Sequence, residues 1–366
     1  MEWIPFFLIC LGVISGMFLF RKKTIPDTGV PFEKSGKISV IIPARNEEKN
    51  LPALLESLRK QTLMPDEIIV VDDHSVDRTA EVAARYSAKV FSLSDLPEGW
   101  TGKTWAVWNG YLRSAGDILV FLDADVRLKP EALRLLIGER NRRGGVISVV
   151  PYHVTEKFYE RLAMIPNILG VFAFTSPFEE KNVNKGLYGS CIVATRADYE
   201  KIGGHESIKS EMLDDLNLGA RFQKAGIAVT NYIGKGLVAF RMYPNGWKSE
   251  LEGFAKGAVL SPSQLSPGTL ALIVLWFIGM ILSQSWFFMI HTSFFYPLFI
   301  GFLLYVVHIL YLNQFIGCFG LINPLLPFLS VLFFLMILLY SLYQVVFRRS
   351  VVWKGRQVPV GRRMRK

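Results

Sequence analysis

No aspartate, glutamate, lysine or arginine occurs between residues 257 and 347. Soluble domains carry full charge on about a quarter of their residues, so a water-facing surface built from this stretch is excluded. Its apolar runs near 269–290, 294–312 and 325–347 are each about long enough to cross a ~30 Å hydrocarbon layer. The region reads as membrane-embedded rather than as an outsized core. The same runs lack the Asp, Glu, Lys and Arg residues that ion and substrate pathways commonly use, which argues against a channel or transporter. Cysteine is scarce too: Cys10, Cys191 and Cys318 show neither paired spacing nor a zinc pattern, and read as small hydrophobes in a reducing compartment. Glycine is missing where a dinucleotide-binding turn would need it. The segment after the first predicted strand is Pro43-Ala44-Arg45-Asn46-Glu47, and no glycine-rich loop ends in Lys-Ser/Thr. A nucleotide, if bound, must be held by side chains and a metal.

What is present is an apolar chain of 366 residues, 51% hydrophobic, with mean hydropathy +0.30. A fourth apolar run, WIPFFLICLGVISGMFLF at 3–20, is followed by Arg21, Lys22 and Lys23. A secretory signal has the opposite charge order, so this is read as a retained anchor with the following region cytoplasmic. Eight Lys/Arg and no acid lie in 348–366, accounting for most of the net charge of +10. That tail is expected on the cytoplasmic side, against anionic headgroups, and nucleic acid is not needed to explain it. Three crossings would leave the tail outside, so the crossing number stays open, and the polar, Gly-rich NQFIGCFGLINP (313–324) is the place for a re-entrant feature.

From 37 to 240 short Val/Ile-rich runs alternate with helical periodicity. Strands are predicted at 38–43, 67–72, 89–93, 117–123 and 146–150. Helices are predicted over Asn46–Lys60, Asp77–Tyr86, Thr104–Ser114 and Pro130–Arg140, with Asn46 and Asp77 as N-caps and Pro130 in a first turn. The expected architecture is α/β: a doubly wound, mostly parallel sheet covered on both faces. Ligands of such sheets bind at the carboxyl ends of the strands. The informative residues fall there, in PARNEE, DDHSVD and DADV.

In DADV, Asp123 and Asp125 are two residues apart in an extended segment and so share a face. At ~5.5 Å and an effective dielectric of ~20 they repel by roughly 3 kcal/mol. A hard cation, Mg²⁺ or Mn²⁺, would remove that repulsion and is typically held by one or two carboxylates plus substrate phosphates. The alternative for Asp123 is a plain turn or helix cap.

The blocks SVIIPARNEEKNLPALLESL, IIVVDDHSVDRT, TGKTWAVWNG, AGDILVFLDADVRL, YGSCIVATRADYEKIGG and LDDLNLGARFQKAG occur in the order of the family 2 glycosyltransferases of GT-A fold. The resemblance covers about 38–240. It implies that Pro43, Arg45, Glu47 and Asp73 line a nucleoside pocket and that Asp73 accepts from the base. It places Lys103 near the diphosphate, Asp123 at the nucleotide and Asp125 on the metal. Asp215 then corresponds to the catalytic base, with Asp214 beside it in the substrate site. A neighbouring carboxylate and partial burial would raise an Asp pKa toward that use; the plainer reading is charge favourable to a helix N-terminus. His74 stands where the family commonly has glycine and is given no chemistry. The Gln-x-x-Arg-Trp motif of the processive polysaccharide synthases is missing. LPEGWTGK and the stretch after 240 resemble the subgroup that glycosylates terpenoid lipids, with hopanoid-associated enzymes also similar.

The resulting organisation is an anchor (1–23), a GT-A catalytic domain (37–240), an interfacial connector (241–268), a transmembrane region (269–347) and a basic cytoplasmic tail (348–366). The expected enzyme is multi-pass in the cell membrane with its catalytic domain cytoplasmic, and transfers a sugar, glucose from UDP-glucose, to a terpenoid lipid such as a carotenoid carboxylate. The competing readings are diacylglycerol, polyprenyl phosphate or hopanoid acceptors, and an inactive membrane-anchored binding protein. Residues 158–178, with Pro166 inside, are either an interfacial cover for the acceptor groove or an ordinary buried helix. Oligomeric state is not legible.

Overall fold

Near-continuous Val/Ile runs bounded by turn residues can bury both faces, and in this chain they form the middle of a seven-stranded sheet. The strand order is 89–92, 67–72, 38–44, 118–122, 191–195, 146–150, 229–233. The computed structural model describes residues 2–27, 29, 36–256, 258, 261–348, 350–353 and 356–359. They divide into two units: residues 24–152, 183–242 and 341–366, which hold this sheet, and residues 1–23, 153–182 and 243–340.

In the sheet unit, Ile41 stands beside Ile69 on one side and Phe121 on the other, all three strands parallel. Their carboxyl ends therefore open on one edge, delivering Arg45, Asp73 and Asp123 there. The predicted strands at 67–72 and 146–150 match residue for residue. Two strands of this sheet escaped the sequence reading. Val229–Ile233 pairs parallel with Val146–Val150. Cys191–Thr195 runs antiparallel to both neighbours, with Leu122 opposite Cys191, so the sheet is mostly rather than wholly parallel.

Helix starts differ from expectation for local reasons. The first begins at Leu51, not Asn46, because Asn46 adopts φ +54° and spends its side chain accepting from Val76 N at 2.9 Å. Its apolar face, Leu51, Leu54, Leu55 and Leu58, is fully buried. The second begins at Thr79, with Asp77 Oδ1 accepting from Thr79 N at 3.0 Å. The fourth begins at Ala132, since the Pro130 carbonyl instead accepts from Thr62 N at 2.8 Å.

The second unit is helical. Three helices, Pro267–Met289, Phe295–Ile316 and Pro327–Arg348, are long and apolar enough to cross a membrane; the last of them continues past residue 340, the limit of this unit. Val307, Leu332 and Leu339 point outward although apolar, as side chains meeting lipid would. The N-terminal apolar helix, Ile4–Leu19, is shorter, at 16 residues. It crosses Pro267–Gln284 closely: a Cβ on Gly12 would lie 3.1 Å from Gly279 Cα, the small-residue contact that lets apolar helices approach. Pro166 does not break its segment but lies in the first turn of the helix Met164–Thr175, where a missing N–H costs nothing. That helix packs inside the unit, with Phe172 edge-on to Trp276 at 5.4 Å and Thr175 Oγ1 donating to Leu19 O at 3.1 Å. Within 313–324 the helix continues to Ile316. The break after it is satisfied by backbone, Cys318 N donating to His153 O at 2.8 Å. In the predicted connector a helix spans Trp247–Ala255. Residues 360–366 of the basic tail lie outside the described residues.

Candidate active site

The loops after the first two parallel strands are stitched together by side chains where a dinucleotide fold would use glycines. Arg45 donates to Asp73 O at 2.6 Å and to His74 O at 3.3 Å. Glu47 N donates to Thr79 Oγ1 at 2.8 Å, and the Glu47 carboxylate accepts from Asn50 Nδ2 at 2.8 Å. Asp73 is 2% exposed. His74, given no role from sequence, braces it: Nδ1 lies 3.0 Å from Asp73 Oδ1 and Nε2 lies 2.7 Å from Ser94 O. It does so at φ +56°, a conformation a glycine adopts without strain.

A second constellation forms around Lys103. Thr101 caps the helix Gly102–Leu112, accepting from Thr104 N at 3.4 Å, and this puts Lys103 in the first turn. A cation there opposes the helix dipole, so it needs anions. Lys103 Nζ stands 2.8 Å from Asp123 Oδ1 and 3.9 Å from Asp214 Oδ2. Burial alone would lower its pKa, but the charges of Asp123, Asp214 and Asp215 outweigh that and push it up. The repulsion expected within DADV is thus relieved in part by the chain itself, since Lys103 pairs with Asp123. Sequence distance hid the pairing. Asp123 Oδ2 also accepts from Ser190 Oγ at 3.0 Å.

Asp214 and Asp215 occupy the first turn of Asp214–Lys224, where their charge suits the dipole. Asp215 Oδ2 accepts from Gly189 N at 3.2 Å. A Cβ on Gly189 would sit 3.0 Å from Asp215 Cβ, so a larger residue there would press on Asp215. A small cleft is lined by Pro43, Lys103, Asp123, Asp214, Asp215 and His205, with apolar walls. Arg45, Glu47, Asp73 and Asp125 are not among its lining residues. His205, 4% exposed, was missed in the sequence. Its signal is the pair Gly203-Gly204, both at positive φ, which turns the chain back so that the imidazole meets Tyr199 OH at 2.7 Å.

Asp125 follows the buried Ala124 in a turn closed by Val126 N donating to Asp123 O at 3.2 Å, so the segment predicted as extended bends here, and both Asp123 and Asp125 are partly exposed. The Asp125 carbonyl accepts from Arg241 N at 3.2 Å. Among the described residues no three His, Cys, Asp or Glu side chains form a metal cage. The donor set fits an oxygen-seeking Mg²⁺ or Mn²⁺ that completes its shell with water and phosphate.

Residues 39–203 match the family model for glycosyl transferase family 2. A protein named 4,4'-diaponeurosporenoate glycosyltransferase from Staphylococcus haemolyticus is 39% identical over 285 residues, 75% of this chain and 76% of that protein. The chain belongs to the family 2 glycosyltransferases. A protein of the same name from Staphylococcus aureus is 31% identical over 377 residues, 99% of this chain and all of that protein. A family 2 enzyme therefore accounts for the carboxylate-lined cleft. Among solved structures, a mannosyltransferase from Pyrobaculum calidifontis in complex with GDP-mannose and Mn²⁺ is similar at TM-score 0.55 and 12% identity, covering 94% of this chain and 99% of that one. The likeness shows the GT-A fold.

Proposed function

We propose that this glycosyltransferase moves a hexose, glucose from UDP-glucose, onto the carboxylate of a carotenoid acid held in a membrane, with inversion at the sugar carbon and with Mg²⁺ or Mn²⁺. The supporting observation is the whole-length similarity to proteins named for a carotenoid acid, combined with a cleft where Lys103, Asp123, Asp214 and Asp215 converge.

In this reading an acceptor oxygen attacks the anomeric carbon, the bond to the diphosphate breaks, and UDP leaves. Asp125 would hold the cation, which when bound neutralises the departing phosphates, and Asp123 would stand at the nucleotide. Lys103 fixes the orientation of Asp123, and Asp73, braced by His74, binds the base. A carboxylate acceptor (pKa ~4–5, as for side-chain acids) arrives ionised at neutral pH, so Asp215 removes no proton from it. With a hydroxyl acceptor Asp215 takes the proton. The apolar helices hold the enzyme in the cell membrane with its acceptor, and the Arg21–Lys23 cluster after the first apolar helix supports a cytoplasmic catalytic unit.

The test is incubation of membranes carrying the protein with labelled UDP-glucose, Mn²⁺ or Mg²⁺ and a panel of carotenoid acids, hopanoids, diacylglycerol and polyprenyl phosphate. The expected product is a glycosyl ester of the carotenoid acid. Label found only on another lipid overturns the acceptor.

A further inference from the structure

His205 forms two hydrogen bonds with one hydroxyl. Its backbone N–H donates to Tyr199 OH at 3.0 Å, and its Nδ1 lies 2.7 Å from the same oxygen. Tyr199 is fully buried. Among the described residues its hydroxyl meets only these two atoms of His205. A buried hydroxyl that gives its proton to nothing costs about 1–3 kcal/mol, so the proton goes to Nδ1. Nδ1 is then the acceptor, and the ring proton must sit on Nε2. Burial pushes His205 down to about 4, with Asp214 acting against that and Lys103 with it, so the ring is neutral at pH 7. The cleft thus receives one fixed, uncharged donor beside the Asp214 carboxylate.

A neutral donor next to a carboxylate matches a hydroxyl, which both gives a proton and takes one. A carboxylate only takes, so it does not use both partners. We propose that His205 is a specificity-determining residue whose Nε2–H donates to a hydroxyl oxygen of the transferred hexose, while Asp214 accepts that hydroxyl's proton. The inference rests on the sugar-transfer reading above and deepens it by naming the group that recognises the sugar.

The test pairs His205→Phe with UDP-glucose and its 2-, 3-, 4- and 6-deoxy analogues, measuring kcat/KM with the acceptor saturating. Phenylalanine keeps the ring between Phe121 and Tyr199, whose centroids are 5.6 and 5.7 Å away. One deoxy analogue should lose about tenfold or more with the wild type and nothing further with His205→Phe, because each change removes the same bond. Losses that multiply for all four analogues overturn the assignment, as does a loss confined to the acceptor KM. Should His205→Phe fail to fold, Tyr199→Phe in the same assay decides, since it removes the donor that fixes the tautomer; it should show the same non-additivity, and purely multiplicative losses overturn the proposal. A wild type that turns over none of these donors overturns the donor reading itself, which distinguishes the two failures.

Discussion

Lys103 and Asp123 form an ion pair of 2.8 Å although twenty residues of sequence, a helix and a strand separate them. Their side chains are 18% and 27% exposed, so water screens the contact only in part. The pair joins the amino end of one helix to the carboxyl end of a parallel strand, and Asp214 on a third element completes it.

Replacing Lys103 by Met leaves Asp123 and Asp214 facing each other without a cation. Breaking such a pair costs near the lower end of ~3–5 kcal/mol. The expected result is a thermal midpoint lowered by several degrees in detergent and transfer reduced about 100-fold. Unchanged initial rates would remove Lys103 from the site.

Asp215→Asn separates the two kinds of acceptor. General-base assistance is worth about 10²–10⁴-fold, so turnover with a hydroxyl acceptor should fall by that factor. A carotenoid carboxylate needs no deprotonation, and its rate should fall less than tenfold. Equal losses with both acceptors would show that Asp215 does something other than accept a proton.

Asp125→Ala tests the cation. Titration calorimetry of the wild type with Mn²⁺ and UDP together should give a binding heat that the variant lacks. Retention of that heat would move the metal elsewhere.

Glu250 is 1% exposed. Burial, reinforced by the nearby Glu160, pushes its carboxyl up to about 8 from the ordinary value of 4.5. The folded state then binds more protons than the unfolded state between those pH values, so stability falls as pH rises through that window. Glu250→Gln should raise the thermal midpoint at pH 8 and flatten its decline from pH 5 to pH 8. A variant with the wild-type slope would contradict the shift.

Much of this was legible in the sequence where local rules decide. The runs 67–72 and 146–150 are apolar enough to be strands in any parallel sheet. Three features were not legible because their causes are tertiary. Asn46 reads as a helix cap, yet Val76 and Ser75 from a neighbouring loop hold it 30 and 29 residues away. Cys191–Thr195 is too short to announce its direction, which is set by the strands either side. His205 gains its fixed tautomer only because two glycines fold the chain onto Tyr199.

The reversed direction of Cys191–Thr195 sends chain along the sheet in both senses. Chain leading into that strand reaches the cleft at Gly189, whereas chain leaving it emerges at the far end of the sheet, where Thr195 stands opposite Ile118. Residues 183–188 are no detachable loop: Leu187 is fully buried and Tyr188 N donates to Ser148 Oγ at 3.0 Å, so an exchange of this segment has to carry its sheet contacts with it.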